Sequence, residues 1–250
     1  MKGNKGAMRK DLWPMRLNKY IAYAGICSRR KAEELVKRGQ IKVNDVIVKI
    51  PFIEITQNDT VKFKDQIITP TKKFVYILLN KPKNYISTVS DEKNRNSILD
   101  LIKENSDERL YPVGRLDRNT TGLILLTNDG HLAQKLSHPR NSVSKIYKVW
   151  LDKKTTQEIL IKFQKGAQLE DGYLKPDALN YSEINDPREV LIEIHSGKNR
   201  VVRRYFEHFG FTVEKLDRVY YAGLTKKNIS RGRYRHLTPD EVRNLKHLGK

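Results

Sequence analysis

The sequence predicts an α+β protein in two parts, a small helix-turn-helix and strand unit followed by a larger mixed domain. Three observations carry this reading. Apolar residues at helical spacing give way to alternating ones near residue 41, a proline-bearing polar stretch interrupts the pattern at 66–73, and beyond it short doubly apolar runs alternate with helical ones. A chain of 250 residues suits one or two domains with a sizeable core.

Residues 1–14 mix Lys, Gly and Asn without periodicity and are expected to form a disordered basic arm. From residue 15 onward, Leu17, Tyr20, Ile21 and Ala24 recur at helical spacing until Gly25 stops the turn. Ser28 stands where the N-cap of a second helix over 29–38 belongs, and Gly39 ends that helix. Ile41 and Val43 alternate with polar neighbours, Asn44-Asp45 offers a turn, and Val46 with Val48 starts a return strand. Residues 15–65 therefore read as one small unit, and 66–73 as a linker.

The larger domain is expected over 74–240, with a tail at 241–250. Residues 74–79 and 123–126 are apolar on both alternating faces, as in strands covered on both sides. Further strands are expected at 146–151, 190–195 and 218–221. Helical patterns lie between them: Leu132, Ala133 and Leu136 after the Asp129-Gly130 turn, and Val202, Tyr205, Phe206 and Phe209 after Asn199.

Charge speaks about partners. The chain carries 49 Lys and Arg against 29 Asp and Glu, a formal charge of +20. An excess of this size attracts polyanions, and each phosphate contacted releases counterions, so nucleic acid is the leading partner. Mere solubility is the alternative for scattered lysines. Clustering argues against it: Arg29, Arg30 and Lys31 stand together beside Lys37 and Arg38, and residues 226–236 hold Lys226, Lys227, Arg231, Arg233 and Arg235 with no acid.

Other classes lose support. The longest stretch free of charge is the ten residues 119–128, half of what a membrane helix needs. Positive charges near the start are followed by no apolar run, so no signal or anchor is written there, and the cytoplasm is the expected compartment. A single cysteine, Cys27, excludes a disulfide framework and Cys-rich zinc sites and reads as a buried small residue. The six histidines do not pair at metal-ligand spacing, and the sequence signatures of nucleotide hydrolysis, dinucleotide redox chemistry, zinc proteolysis and serine hydrolysis are missing.

What remains is the run Tyr111-Pro112-Val113-Gly114-Arg115-Leu116-Asp117-Arg118-Asn119-Thr120-Thr121-Gly122, leading into an apolar strand. On residues alone, an Asp before a turn is most simply an Asx-turn residue satisfying backbone amides. The run as a whole resembles the Gly-Arg-Leu-Asp motif of pseudouridine synthases, with the continuation seen in the branch that modifies ribosomal RNA, the RsuA/RluB type. Leu79-Asn80-Lys81-Pro82 with Ser87-Thr88, Lys145-Ile146-Tyr147-Lys148-Val149, and Gly197-Lys198-Asn199-Arg200-Val201-Val202-Arg203-Arg204 resemble further motifs of that family, in its order. Arg16-Leu17-Asn18-Lys19-Tyr20-Ile21-Ala22, Ser28-Arg29-Arg30-Lys31-Ala32-Glu33 and the stretch from Gly39 to Asn44 look like the small RNA-binding domain named after ribosomal protein S-four.

The resemblance implies a catalytic domain on a mixed, mainly antiparallel sheet with flanking helices and a central cleft. It implies isomerisation of a uridine in ribosomal RNA, of the large subunit first, with no metal and no organic cofactor. A small-subunit target, or a non-catalytic rRNA-binding assembly factor, is the alternative; free rRNA or an assembly particle is the partner, and a monomer the default state. Isomerising uridine means breaking the C1′–N1 bond, turning the uracil and rejoining it through C5, and a carboxylate can act as nucleophile or stabilise a cationic sugar. Asp117 is the candidate by resemblance. Arg203 is its matched cationic partner, since a desolvated carboxylate needs one nearby to stay ionised; pairing with Glu207 on the helix surface is the alternative. Tyr147 is matched to stacking on the extruded uracil and helping remove the C5 proton, with a plain core role as the alternative. Arg115, Lys81, Arg200 and Arg204 are expected at the RNA in the larger domain, and Arg16, Lys19, Ser28, Arg29, Arg30 and Lys31 in the small one. Asn84 stands where the family usually has glycine; asparagine tolerates a left-handed backbone.

Overall fold

The structure is a computed structural model and describes residues 13–70, 73–88, 95–102, 108–182 and 186–248. The chain divides into two compact units, one up to Phe74 and one from Val75.

The first unit opens with β1 (Met15–Arg16) and α1 (Leu17–Tyr23), whose Leu17 and Ile21 are fully buried. Ser28 caps α2 (Arg29–Lys37), its hydroxyl oxygen accepting from the Lys31 amide at 3.2 Å. β2 (Ile41–Val43) and β3 (Val46–Val48) form a hairpin through Asn44 and Asp45, at φ 50° and 66°. Those two residue types accept a left-handed turn at low cost, which is why the sequence forms the hairpin there. β4 (Glu54–Ile55) pairs with β1, and β5 (Val61–Phe63) with β2. β6 (Gln66–Ile67) then pairs with β5, and Tyr20 Oη donates to the Ile68 carbonyl at 2.9 Å. The stretch expected as linker from 66 is thus corrected: 66–70 complete the first unit, while 71–72 lie outside the described residues. A two-residue strand before Pro70 is too short to register as alternation. At the other end Trp13 packs on Tyr20, ring centroids 6.0 Å apart, so the expected arm lends at least this residue to the core. Residues 1–12 of that arm lie outside the described ones.

The second unit is built on β7 (Tyr76–Lys81), β8 (Tyr111–Pro112) and β9 (Thr121–Thr127), then α3 (Gly130–Ser137), β10 (Lys145–Leu151) and α4 (Gln157–Lys165). β11 (Ala167–Leu169) and β12 (Gly172–Leu174) make a hairpin of their own. β13 (Ala178–Tyr181), β14 (Glu189–Ile194), α5 (Val201–His208), β15 (Val213–Tyr221), β16 (Leu224–Thr225), β17 (Tyr234–His236) and α6 (Pro239–His247) follow. The sheet runs β13-β14-β10-β15-β9-β7-β17, with β16 beside β15 and β8 beside β9. Its pairings are antiparallel except for β9 with β15, which run parallel through Thr121–Asp217 and Gly122–Arg218. The mixed, mainly antiparallel sheet with flanking helices is therefore present as the sequence reading expected.

The expected tail at 241–250 is corrected. Thr238 and Glu241 form a capping box that starts α6, Leu245 is 1% exposed, and Lys135 Nζ donates to the Lys246 carbonyl at 2.7 Å. With one buried apolar residue, α6 has too narrow a stripe to read as a packed helix in sequence. Asn84 does adopt the left-handed backbone, at φ 71°, and its amide bonds the Arg118 carbonyl at 2.9 Å. No helix among the described residues is long and apolar enough to cross a membrane.

The parallel seam between β9 and β15 leaves no room for a side chain at Gly122. A Cβ there would lie 2.6 Å from Asp217 Oδ1 and closer still to the backbone of Arg218, and the residue sits at φ +106°. Gly114 is left-handed as well, at φ +74°, but faces open space. Gly122→Ala is therefore expected to lower the unfolding free energy by more than about 3 kcal/mol, against about 1 kcal/mol for Gly114→Ala, in urea titrations of both variants. Equal losses would show that the seam can part without cost.

Candidate active site

The turn from β8 into β9 carries Gly114 to Thr120 across the end of the sheet. Ser87 Oγ donates to the Leu116 carbonyl at 3.0 Å and accepts from the Leu116 amide at 3.2 Å, and the Thr120 amide donates to the Asp117 carbonyl at 3.0 Å. Beneath the turn lies Lys81, fully buried at the end of β7. Its ammonium is within 2.7 Å of the Thr120 carbonyl, 3.0 Å of the Asp117 carbonyl and 3.4 Å of the Arg118 carbonyl. The expected RNA contact at Lys81 is corrected: the group is a clasp that gathers three carbonyls of one loop, and its burial keeps it from any ligand.

The loop so held presents the Asp117 carboxylate, with 39% of the side chain exposed. Among the described residues this carboxylate accepts no hydrogen bond, and its nearest cation is Arg200 Nη1 at 3.9 Å. The Asx-turn alternative fails, because the backbone carbonyl of Asp117, not its side chain, closes the turn. Asp117 opens onto a cleft of about 500 Å³, in the size range of small-molecule sites. Arg115, Lys145, Tyr147, Lys198, Arg200, Leu216, Arg218 and Tyr221 share its lining. Cations outnumber the carboxylate, so the cleft favours an anionic ligand.

Tyr147 reaches the cleft from β10 and is 8% exposed, available to a ligand on that one side. Arg203 is not brought into an ion pair with Asp117. It is 9% exposed, donates to the Val213 carbonyl at 2.6 Å, and is absent from the cleft lining. Burial, then Arg200, push its pKa down, while Asp117 and Glu207 pull it up, so the carboxylate's field reaches it without contact. Arg200, the left-handed residue before α5, takes the nearer place and also lies 3.9 Å from Glu207. Arg115 is exposed at the rim. Arg204, expected at the RNA, grips both Asp171 oxygens at 3.0 and 2.8 Å and is not part of the cleft lining. That pair spans 33 residues, a separation no local pattern reveals.

In the basic run at 226–236 three cations are tied to carboxylates of the fold, while Lys227 and Arg233 are exposed. Arg231 and Lys226 both pair with buried Asp217, whose pKa is raised by burial but lowered more by these two partners, and Arg235 grips Glu241 at 2.6 and 2.7 Å. In the first unit Arg29, Arg30 and Lys31 lie exposed on the first turn of α2, which contains no acid. Cations at a helix N-terminus oppose the dipole, and no side chain of this turn offsets them. Arg16 is exposed over the Phe52 ring, and Lys19 lies 5.6 Å from the Tyr23 ring centroid. Ser28 serves as the cap rather than as one of the exposed contacts. Among the described residues no cluster of three or more His, Cys, Asp or Glu could hold a metal ion.

Lys145, Arg218 and Tyr221 were not singled out from sequence. Lys145 shares the Tyr147 face by strand alternation, whereas Arg218 and Tyr221, three residues apart, reach the same cleft across the register shift opposite Ile146 and Tyr147, which sequence does not show.

Fold and site together define the class: an enzyme with a two-part α+β chain, one basic helical module and one domain offering a carboxylate in a cationic cleft. Comparison with known proteins gives the family. The model of the RNA pseudouridylate synthase family matches residues 75–208, and that of the S4 domain residues 15–67. The chain is 40% identical over 236 residues to ribosomal large subunit pseudouridine synthase B of Bacillus subtilis, covering 93% of this chain and 96% of that protein. It is 36% identical to the dual-specificity RNA pseudouridine synthase RluF of Escherichia coli K12, covering 92% and 78%. A crystal structure of a pseudouridylate synthase superposes with TM-score 0.66 at 29% identity, over 92% of this chain and 99% of that one. The chain belongs to the RNA pseudouridylate synthase family and is an RNA pseudouridine synthase with an amino-terminal S4 domain.

Burial is the main reason the Lys81 pKa falls from 10.5 to about 8; Asp117 opposes the fall, and Arg231 and Arg218 add to it. Between those two values the unfolded chain holds a proton at Lys81 that the folded chain has released. Stability from this group therefore rises with pH through the window, by about 1.4 kcal/mol per unit at most. Urea titrations of the wild type and Lys81→Met at several pH values between about 7 and 10 should show the wild type gaining on the variant as pH rises. A difference that stays flat would place Lys81 in water.

Proposed function

We propose that this enzyme converts a specific uridine of large-subunit ribosomal RNA to pseudouridine, with Asp117 as the catalytic carboxylate. The observation that carries the reading is the Asp117 side chain itself, unbonded among the described residues, on a loop clasped from below, at a cleft wide enough for a nucleoside. The large-subunit target is supported by the name of the Bacillus subtilis relative, which aligns over nearly the whole chain.

The reaction consumes neither water nor redox equivalents, so the reading includes no metal and no organic cofactor. A uridine turned out of folded RNA enters the cleft, and Tyr147 stacks on its ring. Asp117 acts on the sugar or the base as the C1′–N1 bond breaks. Arg200 at 3.9 Å, and Arg203 through its longer-range field, keep the carboxylate ionised in the filled cleft. Arg115 and Arg200 at the rim receive backbone phosphates, and Tyr147 is placed to assist loss of the C5 proton. The S4 unit adds affinity through Arg16, Lys19, Arg29, Arg30 and Lys31, on free rRNA or on an assembly particle. A cytoplasmic monomer completes the reading.

Asp117→Asn is expected to lower single-turnover conversion by more than about 10³-fold while RNA affinity changes less than about threefold, since the carboxylate acts in the chemical step. Retained activity would remove Asp117 from the mechanism. Mapping pseudouridine in rRNA from cells lacking the gene should show one vacant large-subunit position; a small-subunit vacancy would move the target, and no vacancy would favour an assembly factor. Arg29→Ala and Arg30→Ala should each weaken binding and reduce the slope of log affinity against log salt by about 1, without lowering the rate of bound substrate. An unchanged slope would free α2 from the RNA.

A further inference from the structure

The cleft holds charge that the Asp117 chemistry does not use. Arg218, from β15, is 2% exposed and lines the cleft. Its Nε donates to the Leu123 carbonyl at 2.7 Å across the parallel seam, and its guanidinium lies 4.6 Å from the Tyr221 ring centroid. Among the described residues it forms no ion pair, and its Nη2 is buried without a hydrogen-bond partner. Lys145, on the adjacent strand β10, donates to the Val143 carbonyl at 2.6 Å and the His195 carbonyl at 3.0 Å, which leaves its third N–H uncommitted. It too forms no ion pair among the described residues. Burial first and Arg218 second push its pKa down to about 8, with Asp177 opposing, so the two cations lie within each other's field.

Two neighbouring cations without a counter-ion are costly to bury, and an unpaired guanidinium nitrogen adds to the cost. Such a conflict persists where a ligand resolves it. Arg115 and Arg200, exposed in the same lining, are open to phosphates from solvent. Arg218 is screened from solvent, paired across the strands with Tyr147 and set over the Tyr221 ring, surroundings that suit an aromatic base better than a hydrated phosphate.

We infer that Arg218 and Lys145 form a carbonyl subsite for the uracil ring, donating hydrogen bonds to its oxygens and stabilising the negative charge the ring takes on as the glycosidic bond breaks. The inference rests on the function proposed above. When C1′–N1 breaks, its electron pair passes to the ring and is shared by N1, O2 and O4. C1′ then bonds to C5, a proton leaves C5, N1 gains one, and nothing is oxidised or reduced. A subsite that only donates also disfavours cytosine, whose amino group stands where uracil has O4.

The test compares uridine with 5-fluorouridine at the target position of an rRNA-fragment transcript, using the full chain in single turnover and following loss of the N-glycosidic nucleoside by digestion and chromatography. Fluorine spreads the ring's negative charge and reduces the help the protein must give. Arg218→Gln and Lys145→Gln should each lose about 100-fold with uridine but less than about 10-fold with 5-fluorouridine, at unchanged RNA affinity. Arg218→Lys, which keeps a charge, carries the same comparison with a smaller uridine loss if the glutamine variant folds poorly. Equal losses on both RNAs, alongside an active wild type, would overturn the subsite and leave the proposed function standing. A wild type that leaves uridine unchanged would overturn that function and the subsite with it.

Discussion

The close approach of β9 to β15 at Gly122 is the constraint on which the second unit depends. Two residue pairs of parallel backbone join the β13-β14-β10-β15 half of the sheet to the β9-β7-β17 half. Because no Cβ intervenes, the chain just before β9 lies beside β15, which brings the Asp117 turn to the same cleft as Leu216 and Arg218. Polar groups lock this seam. Thr121 Oγ1 donates to Asp217 Oδ1 at 3.0 Å, and Arg231 bridges that carboxylate to Asn80 Oδ1, also at 3.0 Å. Lys81, in register with Gly122, then clasps the loop from below. The Asp117 residue is thus held by its own backbone carbonyl, while its carboxylate accepts no hydrogen bond among the described residues.

Electrostatics divides the basic residues into two populations. Arg204, Lys226, Arg231 and Arg235 are committed to carboxylates and shape the fold. Arg115, Arg200, Lys145 and Arg218 line the cleft, and only Arg200 of these approaches a carboxylate among the described residues. Arg29, Arg30 and Lys31 oppose a helix dipole at the start of α2. Both units thus carry cations that no carboxylate among the described residues or helix dipole offsets.

Much of this was legible in the sequence, for identifiable reasons. Ser28 announced a cap, Asn44-Asp45 a left-handed hairpin, and residues 123–126 a strand covered on both faces, because each depends on neighbours in sequence. The motif around Asp117 located the loop and the family. Arg204, Lys81 and the seam were not legible, since each depends on a partner distant in the chain: Asp171 for Arg204, Asp117 and Thr120 for Lys81, and Arg218 for Gly122. Helix α4 escaped because only Leu160 and Phe163 are buried in it, and α6 because Leu245 alone is. The choice between Arg203 and Arg200 as the nearer cation turns on the left-handed backbone at Arg200, at φ 46°, which a non-glycine residue rarely declares.

The proposed chemistry depends on one placement: a pyrimidine nucleoside withdrawn from RNA, with its glycosidic carbon against a carboxylate that accepts no hydrogen bond among the described residues. An experimental structure of the chain bound to an rRNA fragment carrying the target uridine tests this most directly. The account predicts the nucleoside flipped into the cleft with an Asp117 oxygen within about 3.5 Å of C1′ or of the uracil ring, as a reacting pair requires. A nucleoside still stacked in the RNA, or seated with Asp117 facing solvent, would contradict it.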